Sequence, residues 1–167
     1  MADSLETAQE DILAANQKDL SAAKGVISEV MLDRLTLSSA RIRDMAQGIR
    51  AVADLPDPVG RVLSEELRPN GLVIRRTRVP MGVVAIIYES RPNVTSDVAA
   101  LTIKSGNVCI LRCGKEAHRT ASQITMALRR GLSSAGLPKE AVTLIDDTSR
   151  DSVSYTHLRA HETTLHL

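Results

Sequence analysis

The sequence predicts an α/β protein: N-terminal helices, a β-hairpin and the first half of a doubly wound parallel sheet. Three observations predict this class. Apolar residues recur at helical spacing through the first third of the chain, two strand-like runs flank an Asn-Gly pair, and apolar strands then alternate with helical segments. A length of 167 residues suits one domain with a buried core.

Two helices are predicted first. One spans Ser4 to about Lys24 and stops at Gly25. A second, amphipathic helix runs from about Val30 to Val52, with Ser38 among its solvent-exposed positions. The Pro56–Pro58 segment ends the second helix, because proline cannot continue a helix and restricts the residue before it.

A hairpin follows, with strands Arg61–Leu67 and Leu72–Val79 joined at Arg68–Gly71. Its Asn70-Gly71 pair is a strong hairpin signal, since both residues tolerate positive φ. Polar and apolar residues alternate imperfectly in the second strand, so one face is either exposed or buried by a partner.

The remaining elements form strand-helix-strand-helix-strand. The first strand, Val83–Tyr88, is a continuous apolar run and is expected to be covered on both faces. The pattern continues as helix 94–104, strand Val108–Arg112, helix 115–134 and strand Val142–Asp146, which is half of a doubly wound parallel sheet.

Composition excludes several classes of function. The chain has 43% hydrophobic and 25% charged residues, a net charge of +1 and no Phe or Trp. The net charge is too small to attract nucleic acid electrostatically, and aromatic side chains on which bases could stack are almost absent. No apolar run is long enough to span a membrane. Cys109 and Cys113 do not form a disulfide framework, so reduced thiols and a cytoplasmic location are expected.

Three runs carry a family resemblance: RRTRVPMGVVAIIYESRPN with VTSDVAALTIKSGN directly after it, VCILRCGKEAHRTASQ, and AGLPKEAVTLID. They resemble the γ-glutamyl phosphate reductase family of the aldehyde dehydrogenase superfamily, most specifically through Arg91-Pro92-Asn93. The resemblance extends to about Asp151. It implies the aldehyde dehydrogenase fold with a partial NADP-binding, Rossmann-like domain over residues 1–151, and oligomerisation through the 61–79 hairpin.

The resemblance also implies an activity: NADPH-dependent reduction of L-glutamyl 5-phosphate to glutamate 5-semialdehyde and phosphate, in proline biosynthesis. It further implies a homo-oligomer and functional pairing with glutamate 5-kinase. The family's catalytic cysteine lies in a downstream Cys-Asn-Ala-x-Glu-Thr-like run that is missing from this sequence. The chain alone is therefore expected to be inactive, and to expose sheet edges and half-covered apolar faces.

Asn93 and Arg91 are the candidate residues on the substrate side. Asn93 follows the first parallel strand, and the superfamily uses an asparagine there as an oxyanion donor, although a turn or cap residue is the alternative. Arg91 either clamps a phosphate or carboxylate of the substrate or is a surface charge.

Tyr88, Ser90, Arg112, Gly114 and Lys115 are the candidate cofactor residues. In the superfamily the segment 112–115 lies under the adenosine ribose, and two cations around a glycine at a helix start suit the 2′-phosphate of NADPH. An ordinary strand-to-helix turn is the alternative.

Three further residues, Cys113, Cys109 and His118, are not expected to be catalytic. Cys113 stands where the family usually has glycine and is expected to crowd the cofactor. Cys109 is interpreted as a small buried hydrophobe. His118 is interpreted as a solvated or packed histidine.

The segment 152–167 has a different character, because it shows no periodicity and resembles a translated sequencing adapter. It is expected to be non-native, so the His157/His161 pair is not interpreted as a metal site, and no metal is predicted. Two alternatives to the reductase remain. One is a naturally short, catalytically dead nucleotide-binding or oligomerisation module of the same superfamily. The other is a different acyl-CoA or aldehyde dehydrogenase, which the Glu89–Asn93 loop disfavours.

Overall fold

A computed structural model describes residues 1–148, in which helices precede a hairpin and a parallel α/β unit. The helices are α1 (Ala2–Thr7), α2 (Gln9–Ala23), α3 (Glu29–Leu35), α4 (Ser39–Asp54), α5 (Asn93–Lys104) and α6 (His118–Ser134). The strands are β1 (Val62–Leu67), β2 (Val73–Thr77), β3 (Val83–Ile87), β4 (Val108–Arg112) and β5 (Val142–Leu144). The predicted order of elements and the α/β class are confirmed.

The two predicted N-terminal helices are each divided, which corrects the sequence prediction. The first breaks at Ala8, so that α1 packs against both α4 and α6 while α2 packs along α6. Alanine is a good helix former and the apolar spacing continues through it, so no local signal marks this break.

The second predicted helix is divided by residues 36–38 into α3 and α4. Ser38 is extended, and its Oγ accepts a hydrogen bond of 3.2 Å from the backbone N–H of Arg41, which makes it the N-cap of α4. Ser28 caps α3 in the same way. A serine three residues before an N–H it can cap is a recognised start signal, so this boundary could have been predicted.

The hairpin is formed by β1 and β2 pairing antiparallel, with Leu67 opposite Val73. The backbone N–H of Gly71 donates to the Arg68 carbonyl at 2.9 Å. Of the two turn residues that tolerate positive φ, only Gly71 adopts it, at 81°. Every residue of both strands is exposed, so no described residue covers either face of the hairpin.

The parallel sheet has the order β3-β4-β5, with α5 and α6 on one face. That face is buried through Cys109, Leu111 and Val142. On the opposite face Val83 is 62% exposed and Ile87 is 46% exposed. The prediction that this strand is covered on both faces is therefore wrong for the described residues. We call the uncovered side, formed by Val83, Ala85, Ile87 and Val108, the open face.

The core contains almost no aromatic side chains, as the composition predicts. Leucine, isoleucine, alanine and methionine fill the space between α1, α2, α4, α5, α6 and the sheet. Among residues 1–148, Tyr88 is the one aromatic residue in this cluster. Alanines at Ala99, Ala121 and Ala127 are fully buried. Small side chains at these positions let helices and sheet approach closely without large rings.

A buried polar network joins α2 to the start of α6. The Asp19 carboxylate is fully buried and accepts hydrogen bonds from the Thr120 N–H at 2.8 Å and the Thr120 hydroxyl at 2.7 Å. Asn16, also buried, donates to the Leu35 carbonyl at 2.8 Å and accepts from the Leu37 N–H at 2.9 Å. The network fixes α6 and the segment between α3 and α4, which both border the candidate site.

Candidate active site

The carboxyl ends of β3 and β4 bring the predicted site residues to one edge of the sheet, where open α/β sheets bind their ligands. The ladder continues one residue beyond β3, because the Tyr88 N–H donates to the Arg112 carbonyl at 3.0 Å. The loop from residue 88 to 92 leads into α5, and the loop from 113 to 117 leads into α6.

Asn93 is the first residue of α5, after Pro92 at the N-cap position. Its side chain is exposed, and its Nδ2 donates to Asp97 Oδ2, one turn later, at 3.1 Å. An amide nitrogen carries two protons, so this bond orients the group while one N–H can still be donated to a ligand. Desolvation raises the pKa of Asp97, and the hydrogen bonds from Asn93 and Ser96 oppose that effect.

A cleft of about 460 Å³ lies between the α3–α4 region and the start of α5, and we call it the α4–α5 cleft. Arg91 and Asn93, the two residues predicted on the substrate side, both line it. The structure thus brings these two together in one cavity, within the size range of small-molecule sites. Its other lining residues are Asp33, Arg34, Thr36, Leu37, Arg41, Asp44, Met45 and Asp97.

Sequence reasoning missed the charged residues that α3 and α4 contribute to this cleft. The Arg41 guanidinium is fixed, because it donates to the carbonyls of Asp33 and Thr36 at 2.7 Å and 2.6 Å. Arg34 and Asp44 also line the cleft. Polar positions on an amphipathic helix usually face water, so nothing in the local pattern distinguishes them from an ordinary solvated face.

Tyr88 is placed beneath the loop rather than at its surface. The side chain is 9% exposed, and its hydroxyl shares a hydrogen bond of 2.6 Å with the buried Thr95 hydroxyl. Burial also raises the pKa of Tyr88. The Tyr88 side chain therefore fixes the loop to α5, and its predicted contact with the cofactor stays a prediction.

Ser90 connects the two loops at the sheet edge. Its hydroxyl is buried and donates to Glu116 Oε1 at 2.7 Å. The same carboxylate lies against Gly114, where any β-carbon would collide with it. Because that carboxylate is the far end of a flexible side chain, it would have to move if residue 114 carried a β-carbon. The sequence alone did not point to Glu116.

The two predicted cofactor cations lie at the end of β4 and directly after Gly114. Lys115 is exposed and borders a second cleft of about 490 Å³, together with Glu116, His118 and Asp146. Arg112 is half-buried and donates to the Thr148 carbonyl at 2.8 Å. A lysine beside a buried glycine suits a phosphate, and the Glu116 carboxylate suits a sugar hydroxyl, so the residues present fit a nucleotide.

Neither cysteine has the surroundings of a nucleophile. Cys113 is 1% exposed and belongs to the hydrophobic core, and its expected crowding of the cofactor stays a prediction. Burial raises the pKa of Cys113 to about 11 and also raises the pKa of Cys109. Both thiols are free, as predicted, and both are expected to stay protonated near neutral pH.

His118 is half-buried at the start of α6, with its Nε2 3.9 Å from Asp146 Oδ1. This agrees with its interpretation as a packed histidine. Within residues 1–148 no group of His, Cys, Asp and Glu could hold a metal, and no helix is long and apolar enough to cross a membrane. The His157/His161 pair and the boundary near Ser152 lie outside the described residues.

Comparison with known proteins gives concordant results in sequence and structure, although no family model matches the chain. The γ-glutamyl phosphate reductase of Streptococcus pneumoniae serotype 19F is 56% identical over 160 residues, which cover 96% of this chain. The chain spans 38% of the length of that relative and corresponds to its N-terminal part. The aligned stretch extends past Ser152, and the predicted boundary there stays a prediction.

Solved structures show the same relationship. The γ-glutamyl phosphate reductase of Thermotoga maritima matches with a TM-score of 0.87 and 40% identity, over 91% of this chain and 37% of that one. A protein of Listeria monocytogenes described as a probable aldehyde dehydrogenase matches with a TM-score of 0.57 and 16% identity, over 92% of this chain and 34% of that one. The fold is therefore the aldehyde dehydrogenase-like α/β fold.

Proposed function

We propose that this chain is the N-terminal part of a γ-glutamyl phosphate reductase, an enzyme that reduces L-glutamyl 5-phosphate to glutamate 5-semialdehyde and phosphate in proline biosynthesis. The observation that carries the proposal is the position of Arg91 and Asn93 in one cleft at the carboxyl edge of the sheet. The 56% identity to a reductase of that name supports it.

Asn93 stabilises the developing oxyanion in this proposal. Attack of a thiolate on the γ-acyl carbonyl places negative charge on the carbonyl oxygen, and loss of phosphate then gives a thioester. The free N–H of the Asn93 amide donates to that oxygen, while Asp97 holds the group in place. The thiolate comes from outside the described residues, because Cys109 and Cys113 are both buried.

NADPH is the proposed cofactor and, when bound, supplies the hydride that reduces the thioester. Ser90, Arg112, Gly114 and Lys115 would hold its adenosine end. Lys115 carries the positive charge for a 2′-phosphate, whereas Glu116, held by Ser90, offers a carboxylate to ribose hydroxyls. Tyr88 would contribute through the loop that it fixes to α5.

An inactive nucleotide-binding or oligomerisation module of the same superfamily is the second candidate. It is favoured by one observation, that the described residues offer only buried thiols with raised pKa values.

Homo-oligomerisation through the exposed hairpin and pairing with glutamate 5-kinase belong to the main proposal. So does a cytoplasmic location.

A chimeric enzyme tests the proposal. Residues 1–148 of this chain replace the corresponding N-terminal part of the Streptococcus pneumoniae reductase, whose remaining sequence then supplies the rest of the enzyme. The reaction is followed in reverse, as phosphate-dependent reduction of NADP by glutamate 5-semialdehyde, which yields L-glutamyl 5-phosphate and NADPH. We expect a rate within about tenfold of the parent enzyme, about 1.4 kcal/mol in activation free energy.

A folded chimera without this activity would support the module instead. Replacing NADP by NAD in the same assay tests the proposed cofactor, and a preference for NAD would overturn the assignment of Lys115 to a 2′-phosphate. The matched control is the unmodified parent enzyme, measured with both cofactors.

A further inference from the structure

The α4–α5 cleft contains charges of both signs that make no hydrogen bond or ion pair with other residues in the 1–148 range. Arg41 and Asp33 are bonded to each other, and Asp97 is bonded to Asn93. Arg34, Asp44 and Arg91 line the same cavity without such a partner. Two guanidiniums and one carboxylate are thus available to a ligand from three different elements.

The elements that carry these side chains are held firmly in relation to one another. Arg41 fixes the end of α3 to the start of α4 through two backbone carbonyls, and Asn16 binds the segment between them. α4 also packs closely along α5, the helix that begins at Asn93. The charged groups therefore approach a ligand from a fixed frame, which reduces the conformational entropy lost on binding.

A mixed set of charges selects a particular chemistry. A phosphate or a dicarboxylate would favour cations alone, and a polyamine would favour carboxylates alone. An amino acid carries an ammonium and a carboxylate on one carbon, so it pairs with Asp44 and with an arginine at the same time. The cleft volume of about 460 Å³ also leaves room for a side chain to extend toward Asn93.

We propose that Asp44 and Arg34 bind the α-ammonium and α-carboxylate of an amino-acid substrate, and so select a zwitterionic head group in the cleft that contains Asn93. The assignment deepens the proposed function and rests on it for the identity of the reacting group. Arg91, on the loop before α5, is left for the phosphate at the other end of the substrate. Asp44 and Arg34 are specificity-determining residues in this proposal.

Binding of L-glutamate to the 167-residue chain tests the proposal without requiring catalysis. Ligand-observed NMR compares L-glutamate with glutarate, which lacks the ammonium, and with 4-aminobutyrate, which lacks the α-carboxylate. We expect each analogue to bind about tenfold more weakly than L-glutamate, which corresponds to one lost charge-assisted contact in an open cleft.

Two variants assign the contacts, and a third is the control. Asp44→Asn should abolish the preference over glutarate, and Arg34→Gln should abolish the preference over 4-aminobutyrate. Arg43→Gln removes an exposed charge from the same helix that does not line the cleft, and should leave both preferences unchanged. All three side chains are exposed, and circular dichroism verifies that each variant is folded.

The outcomes separate this inference from the proposed function. If glutarate binds as tightly as L-glutamate, if the folded chain binds none of the three, or if Asp44→Asn keeps the preference, the inference is overturned. In an active chimera, Asp44→Asn should raise the KM for glutamate 5-semialdehyde about tenfold with little change in kcat. If the chimera is inactive but the chain binds L-glutamate selectively, the proposed reductase function is overturned and the proposed amino-acid site is supported.

Discussion

The buried carboxylate of Asp19 on α2 binds the start of α6. It satisfies the N–H and hydroxyl of Thr120, and it also lies 3.3 Å from Arg119 Nη1. The Thr120 N–H is in the first turn of α6, where backbone donors have no partner within the helix. Asp19 thus acts as a cap supplied by another helix.

Replacing Asp19 by alanine should therefore lower the free energy of unfolding by about 3 kcal/mol, since it leaves two buried donors without an acceptor. Urea unfolding followed by circular dichroism measures the change. Asp11→Ala is the control, because Asp11 is exposed on the same helix and should change stability by less than about 0.5 kcal/mol. Equal effects of the two substitutions would show that the network contributes nothing.

Asp97 gives a prediction for pH dependence. Desolvation raises its pKa, so between the unfolded and folded pKa values the native state binds more protons than the unfolded chain. Stability therefore falls as the pH rises through this window. Asp97→Asn keeps an acceptor for Asn93 and removes the charge.

The Asp97→Asn variant should match the original chain near pH 3 and exceed its stability at pH 7 by less than about 1 kcal/mol, because Asp97 is partly exposed. Urea unfolding at several pH values measures the difference. The explanation would be contradicted if the stability of the variant relative to the original chain were lower at pH 7 than at pH 3. Asp44→Asn, on the opposite side of the cleft, is the control for loss of a carboxylate.

Residues of the site were predictable only where they follow a strand. Arg91, Asn93 and Lys115 were proposed from the family resemblance and because the carboxyl ends of parallel strands are where such folds bind ligands, and their roles stay predictions. Asp44, Arg34 and Glu116, to which only the proposals assign roles, were not singled out from the sequence. Their roles depend on which helix lies across the cleft and on the space above Gly114, and both are set by tertiary packing.

Two glycines, one between elements and one inside a helix, separate two effects of substitution by alanine. Gly106 has a φ of 74° between α5 and β4, and an added β-carbon would lie 2.9 Å from Pro80 Cγ. Gly48 is within α4, and no atom lies within 4 Å of an added β-carbon there. Strain and collision therefore oppose alanine at Gly106, whereas helix propensity favours it at Gly48.

Gly106→Ala should destabilise the chain by about 2 kcal/mol, and Gly48→Ala should stabilise it by about 0.5–1 kcal/mol. Thermal unfolding of the two variants beside the original chain provides the measurement, and each serves as the control for the other. Stabilisation by both substitutions would mean that the turn at Gly106 adapts without strain.

At the scale of elements, strands were predicted well because proline, glycine and asparagine on either side of a short run mark where the strand begins and ends. β4 occupies the predicted residues Val108–Arg112. The break at Ala8 was not predictable, since it has no turn-forming residue and lies where α1 packs between α4 and α6. The division between α3 and α4 was missed although Ser38 marks it. Helix periodicity identifies the buried face but not every interruption.

At the scale of the molecule, residues 1–148 leave one face of the parallel sheet incompletely covered. The open face and both strands of the hairpin expose apolar side chains. This agrees with the half-covered apolar faces expected from the sequence, but not with the cover on both faces expected of β3. Exposed strands of this kind promote association between chains. In the proposed whole enzyme, further chain would cover this face.

The double variant Val83→Thr/Ile87→Thr should therefore aggregate less than the original chain, with several-fold lower light scattering and weaker binding of the dye ANS. Leu101→Thr is the control, because Leu101 is 53% exposed on α5, outside the open face. Equal scattering from the double variant and the original chain would exclude the open face as the cause. In the chimera the open face should bind little dye.

The measurement that tests the central claim most directly is the rate of the chimera with and without the Asn93 amide. The reductase assignment predicts phosphate-dependent reduction of NADP by the chimera and a loss of about 100-fold or more in kcat for Asn93→Ala, as for other oxyanion donors. A folded chimera that is inactive, or an Asn93→Ala chimera that keeps its full rate, would contradict the account.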